Sequence, residues 1–144
     1  MINFFSKKHN KKCRICIIDD EELILEMYKT KFEQEGYTVL TAQNGKEGFK
    51  IAQAHKPDII LTDILMPGSD GFYLLKKLKS EEVLKKIPVI ALTNVNDEER
   101  RHRVSKLGVD KYLVKSEHMP RQVAKIVKEV LRYQNAASSV SVII

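Results

Sequence analysis

Five short apolar runs recur along the chain, and each is followed by a stretch whose apolar residues have helical spacing. The runs are Arg14–Ile18, Tyr37–Ala42, Ile59–Leu61, Pro88–Thr93 and Asp110–Lys115. Runs of this length between turn-forming residues read as strands. The stretches between them read as helices. The first runs from Asp20 to about Glu35, with Ile24, Met27, Tyr28 and Phe32 as its apolar stripe and Gly36 as its stop. The second opens at Asn44-Gly45 and carries Phe49, Ile51 and Ala52. The third follows Gly71 with Phe72, Leu74, Leu75 and Leu78. A very polar fourth lies between Asn96 and Gly108. The fifth spans about Pro120 to Tyr133 and buries Val123, Ile126, Val127, Val130 and Leu131. Strands that alternate with helices predict a parallel sheet covered on both faces. The unbroken Ile59-Ile60-Leu61 fits a strand buried on both sides of such a sheet.

Right-handed crossovers leave few topologies for five such units. The expected fold class is α/β, a flavodoxin-like three-layer sandwich, (βα)5, with a five-stranded parallel sheet in order 2-1-3-4-5. A length of 144 residues suits one domain. We expect a flexible basic arm at residues 1–13, the domain at 14–133, and a frayed tail at 134–144 that is uncharged, Ser-rich and then apolar. No apolar run reaches 18 residues, so no transmembrane helix is expected. The charges of the N-terminus follow its apolar residues, the reverse of a secretory signal, which predicts a cytoplasmic protein.

The net charge of +6 is concentrated at one end. Lys7, Lys8, Lys11, Lys12 and Arg14 carry five charges with no acid among residues 1–14, and the remainder is nearly neutral. We read the arm as a solubilising tail and expect no nucleic-acid partner; such binding would show a salt-sensitive shift. Cys13 and Cys16 form a single CxxC with no second pair to complete a zinc site. It enters a strand instead of opening a helix, so Cys16 is expected in the core and not in redox chemistry.

Open parallel sheets bind ligands outside the carboxyl ends of their strands. In the order 2-1-3-4-5 the first and third strands are neighbours. Asp19 and Asp20 then lie beside Asp63, with Thr93 ending the fourth strand and Lys115 the fifth at the same end. Three carboxylates that close repel one another unless a cation joins them. An oxygen-only set without His or Cys favours a hard ion, Mg²⁺ over Zn²⁺. Lys115 and Thr93 could each take a phosphate oxygen, and a carboxylate nucleophile is a known route to an acyl phosphate. Asp20 also suits the cap of the first helix, and Asp70 the cap of the third. His55, His102 and His118 read as surface residues on separate elements.

From Arg14 to Tyr133 the chain resembles the receiver domain of two-component response regulators, of the stand-alone single-domain type. The resemblance is carried by Asp19-Asp20, by Asp63-Ile64-Leu65-Met66-Pro67-Gly68-Ser69-Asp70-Gly71, by Leu92-Thr93 and by Tyr112-Leu113-Val114-Lys115. It implies that Asp63 is the phosphoacceptor. Asp20, Asp63 and the Leu65 carbonyl would bind Mg²⁺ directly, and Asp19 through water. Thr93 and Tyr112 would be the switch pair, with Lys115 on the phosphoryl group. The donor would be a histidine kinase or phosphotransfer protein. The output partner, of unknown identity, would bind through the surface of helix 4, strand 5 and helix 5, a surface open also to homodimer formation. Such a protein is not an enzyme in the usual sense, since it catalyses only its own phosphorylation and dephosphorylation.

Two positions depart from the family pattern. Ser116 replaces the usual Pro after the lysine, where a cis bond would cost about 2.5–4 kcal/mol, and the sequence leaves cis and trans both open at this bond. Asn94 replaces a small residue and is expected to crowd the site. Leu65 and Val95 are apolar where the family tunes the lifetime of the phosphoryl group, which implies a long-lived state. The alternative function is a phosphorylation-independent adaptor with the same fold. A phosphohydrolase reading lacks its second Asp, because position 65 is Leu.

Overall fold

The computed structural model describes residues 12–143, with side chains as far as residue 137. The basic arm therefore lies outside the described residues, apart from Lys12 and Cys13. Strands β1 (Arg14–Ile18), β2 (Thr38–Ala42), β3 (Ile59–Thr62), β4 (Val89–Thr93) and β5 (Lys111–Val114) alternate with five helices. These are α1 (Glu22–Gln34), α2 (Gly45–His55), α3 (Gly71–Lys79), α4 (Glu98–Lys106) and α5 (Pro120–Ile143). The sheet is parallel throughout and ordered β2-β1-β3-β4-β5. Fold class and strand order are those expected from the alternation.

Burial follows position in the sheet. Every residue of β3 and β4 is buried, and β1 is buried from Ile15 onward. The edge strands β2 and β5 are only partly covered. Side chains alternate between faces, as strand geometry requires. Cys16, Ile18, Ile60, Val89 and Ala91 join α2, α3 and Val104 of α4 in one core. Ile15, Ile17, Ile59, Leu61, Ile90 and Leu92 pack on the other side against α1 and α5. Full burial of a side chain such as Phe32, 0% exposed, stabilises the fold by about 1.5–3 kcal/mol.

Several local expectations need correction. In α1 the buried stripe is Leu25, Tyr28 and Phe32, with Ile24 half-buried and Met27 at 42% exposure. The helix starts at Glu22, which sets its phase. Asp20 caps nothing: the first helical turn has Glu21 at its cap position without a side-chain bond, while Asp19 Oδ1 accepts from the Glu21 N–H at 2.9 Å. Asn44, Asp70 and Asp97 do cap α2, α3 and α4, each accepting an N–H three residues on. Such caps contribute about 1 kcal/mol each. The last helix does not end at Tyr133. It continues to Ile143, through a stretch that contains neither Gly nor Pro to stop it. Lys115 opens a short 3-10 turn, Lys115–Glu117, instead of closing β5. His118 is half-buried, its Nδ1 3.0 Å from the Val114 carbonyl, so it is not a surface residue like His55 and His102. No described helix is long and apolar enough to cross a membrane.

Candidate functional site

The ends of β1 and β3 are carried one residue further by the backbone. The Asp63 N–H donates to the Ile18 carbonyl at 2.8 Å, and the Asp19 N–H to the Ala42 carbonyl at 3.1 Å. These bonds hold both carboxylates at the same rim of the sheet. Asp63 Oδ1 accepts from the Ile64 N–H at 2.6 Å, which turns Oδ2 toward Lys115. Behind it, Gly71 donates its N–H to the Ile64 carbonyl at 2.7 Å. A Cβ on Gly71 would lie 2.8 Å from both the Asp63 carbonyl oxygen and the Ile64 Cα. Only glycine lets the start of α3 come this close to the Asp63 backbone.

Asp19, Asp20 and Asp63 each bring a carboxylate oxygen within 4.8 Å of the others. Asp20 is exposed, whereas Asp19 and Asp63 are buried. Lys115 Nζ bridges the buried pair, 2.5 Å from Asp19 Oδ2 and 2.9 Å from Asp63 Oδ2. Burial disfavours the charge on Lys115, but its bonds to Asp19 and Asp63 outweigh this and hold the amine above its ordinary pKa. For Asp19 the balance goes the other way: burial pushes its carboxyl up, against the pull of Lys115 and of the Glu21 N–H. One ammonium thus faces three carboxylates, and the set is short of positive charge. Its donors are all oxygen, which fits a hard divalent cation such as Mg²⁺.

These groups open onto a cleft of about 370 Å³ lined by Asp20, Glu21, Asp63, Leu65, Thr93, Asn94, Val95 and Lys115. Thr93 is buried, and its Oγ1 accepts from the Val95 N–H at 3.3 Å. Tyr112 is half-buried and donates its hydroxyl proton to the Val95 carbonyl, with the Arg101 guanidinium 5.0 Å over its ring. Every peptide bond among the described residues is trans, so Lys115 reaches both carboxylates without a cis bond at Ser116.

Five of the sequence-predicted side chains, Asp19, Asp20, Asp63, Thr93 and Lys115, stand at this one rim, and Tyr112 reaches the loop beside it from β5. Leu65, read for its carbonyl, lines the same cleft. Glu21 was missed: it lines the cleft, and its Oε1 lies 3.9 Å from Lys115 Nζ. The acidic run Asp19–Glu22 was the available signal, of which only Asp19 and Asp20 were assigned to the site.

The model of the response regulator receiver domain family matches residues 15–128. The chain belongs to that family. This receiver domain is 36% identical over 129 residues to the alkaline phosphatase synthesis transcriptional regulatory protein PhoP of Bacillus subtilis, covering 90% of this chain and 52% of PhoP. Over 112 residues it is 33% identical to the polar-differentiation response regulator DivK of Brucella anthropi, covering 78% of this chain and 91% of DivK. The receiver domain thus spans about half the length of relatives such as PhoP, and most of DivK. Among solved structures, a CheY-like response regulator receiver domain protein from Methanospirillum hungatei superimposes with a TM-score of 0.82 at 29% identity. That match covers 88% of this chain and 99% of the other.

Proposed function

We propose that this receiver domain is the phosphoacceptor switch of a two-component phosphorelay, with Asp63 as acceptor. The observation that carries the reading is the Lys115 ammonium held 2.9 Å from Asp63 Oδ2, inside a three-carboxylate cluster that opens on a cleft. Asp63 Oδ2 attacks the phosphorus of the donor. The bond from phosphorus to the donor nitrogen or oxygen breaks, and the leaving group keeps the electron pair. A histidine kinase or histidine phosphotransfer protein is the donor in the cell, and acetyl phosphate serves in the tube. Asp20, Asp63 and the Leu65 carbonyl would hold Mg²⁺, with Asp19 behind them. When bound, the ion neutralises charge on the phosphoryl oxygens. Lys115 turns from Asp63 to a phosphoryl oxygen, and Thr93 donates its hydroxyl to another. The chain acts on no other substrate; it catalyses only its own gain and loss of the group.

Thr93 lies two residues from Val95, whose carbonyl holds the Tyr112 hydroxyl. Movement of Thr93 toward the phosphoryl group would shift that loop and change the setting of Tyr112. The surface of α4, β5 and α5 would then differ between the two forms, which is what a partner needs to tell them apart.

The test is intact-protein mass after incubation with acetyl phosphate and Mg²⁺. A gain of one phosphoryl group, absent in Asp63→Ala and absent when the metal is chelated, is expected. No gain in the wild-type chain would favour an adaptor that works without phosphorylation.

A further inference from the structure

The turn that carries Lys115 lacks a local cap. Its first helical residue is Lys115, and the cap position falls on Val114, whose side chain accepts no hydrogen bond. A capping side chain would ordinarily accept the N–H of the second or third helical residue. The second residue here is Ser116, and its N–H donates at 3.1 Å to Oδ1 of Asn94, a residue of the neighbouring strand's loop. Asn94 immediately follows Thr93, the last residue of β4, so one bond ties the loop after Thr93 to the turn that holds Lys115. The two positions at which the sequence departs from the family pattern are therefore partners: a proline at 116 would have no N–H to give, and a small residue at 94 would have no acceptor.

We propose that Asn94 is a positioning residue, which caps the Lys115–Glu117 turn from the end of the neighbouring strand and thereby sets the Lys115 ammonium against Asp63 and Asp19 with a trans bond at Ser116. The other end of this turn is held by its own chain, through the His118 N–H to the Lys115 carbonyl and His118 Nδ1 beside the Val114 carbonyl. The pairing of β5 with β4 ends at Val114, opposite Thr93, and the Asn94 bond carries that tie two residues further, to Ser116 inside the turn. The part of the inference that concerns rate rests on the phosphoacceptor reading; the part that concerns the position of Lys115 does not.

Three variants of the full chain separate the outcomes. Asn94→Leu keeps the bulk and loses the acceptor, Asn94→Ala loses both, and Ser116→Ala keeps the N–H. Nuclear magnetic resonance without any phosphoryl donor reads the Ser116 amide exchange and the Lys115 ammonium resonance. Both Asn94 variants are expected to lose protection at Ser116 and to shift the Lys115 resonance, while Ser116→Ala does neither. With acetyl phosphate and Mg²⁺, both Asn94 variants should be phosphorylated roughly 2- to 10-fold more slowly, the worth of one hydrogen bond, and Ser116→Ala at the wild-type rate. Unchanged Ser116 protection in Asn94→Leu overturns the proposal. So does faster reaction in Asn94→Ala with a wild-type rate in Asn94→Leu, which would show that Asn94 acts by bulk alone. If the wild-type chain takes up no phosphoryl group yet both resonances respond, the phosphoacceptor reading fails and the positioning role stands.

Discussion

Lys115 balances the site with a single charge against at least three. Its side chain is 10% exposed and it faces two buried carboxylates, so removing it leaves those charges uncompensated. Breaking a buried pair in this way typically costs about 3–5 kcal/mol, and the open cleft places this site at the lower end. Lys115→Met is therefore expected to lower the urea midpoint in the presence of a chelator, with part of the loss recovered on adding Mg²⁺. A midpoint equal to wild type in chelator would show that the carboxylates do not need the amine. At exposed Asp20 the charge imbalance predicts the opposite sign: Asp20→Asn gains stability in chelator, by at most about 1 kcal/mol, and gains nothing from Mg²⁺. Leu65 is 42% exposed at the mouth of the cleft, where Val95 also lies, and neither side chain can orient an attacking water. We expect the Leu65→Asn, Val95→Glu double variant to lose its phosphoryl group faster than wild type, measured by mass after removal of donor. Asp19, Asp63, Thr93 and Lys115 were legible in the sequence because a strand end announces where its last side chain goes. Glu21 and the Asn94–Ser116 bond were not, since one depends on the phase of the first helical turn and the other on a rotamer reaching to the turn after the neighbouring strand.

Among the elements, β1 and α3 shape the site from behind. β1 buries Cys16 completely, and that burial, with Glu47 adding to it, pushes the thiol from an ordinary 9.0 up to about 12. The unfolded chain releases this proton near 9.0 and the folded chain keeps it until about 12. Stability from this group is intact below 9.0 and falls as pH rises through that window, by about 1.4 kcal/mol per pH unit. Denaturant midpoints on either side of 9.0 should accordingly drop less in Cys16→Ala than in wild type. Parallel slopes would contradict the burial argument. A thiol reagent at neutral pH should label Cys13 alone in the folded chain, because Cys13 is exposed, and both thiols in urea. At the start of α3, Gly71→Ala would force apart backbone atoms 2.8 Å from the new Cβ. We expect lower stability together with slower phosphorylation, since the atoms displaced belong to Asp63 and Ile64. The strand assignments were readable because apolar runs are short and bounded. The far end of α5 was not, because an uncharged Ser-rich stretch resembles a tail when the helix leading into it cannot be seen.

Across the whole molecule the core is divided by the sheet, and the helices are not held equally. α1 buries Leu25, Tyr28 and Phe32, and α3 buries Gly71, Leu74, Leu75 and Leu78. α4 buries Val104 alone. Its other residues are charged or polar, and its cap and ion pair, Asp97 with Arg100, are exposed. An element with so little buried apolar surface opens locally at a free energy well below that of global unfolding. The loop before it follows Thr93 at the end of β4 and carries Asn94 and Val95, and Tyr112 reaches that loop from β5. The helix with a single buried residue is thus joined directly to the residues proposed to sense the phosphoryl group. On the proposed reading, a bias at Thr93 would act on this weakly buried helix before it acted on α1 or α3. Amide exchange followed by mass spectrometry should find α4 exchanging faster than α1, α3 and the central strands in the unmodified chain. After reaction with acetyl phosphate and Mg²⁺, the largest change in protection should fall on α4 and the loop before it. A change centred on α1 or α3, or an α4 as protected as the central strands, would place the responsive surface elsewhere.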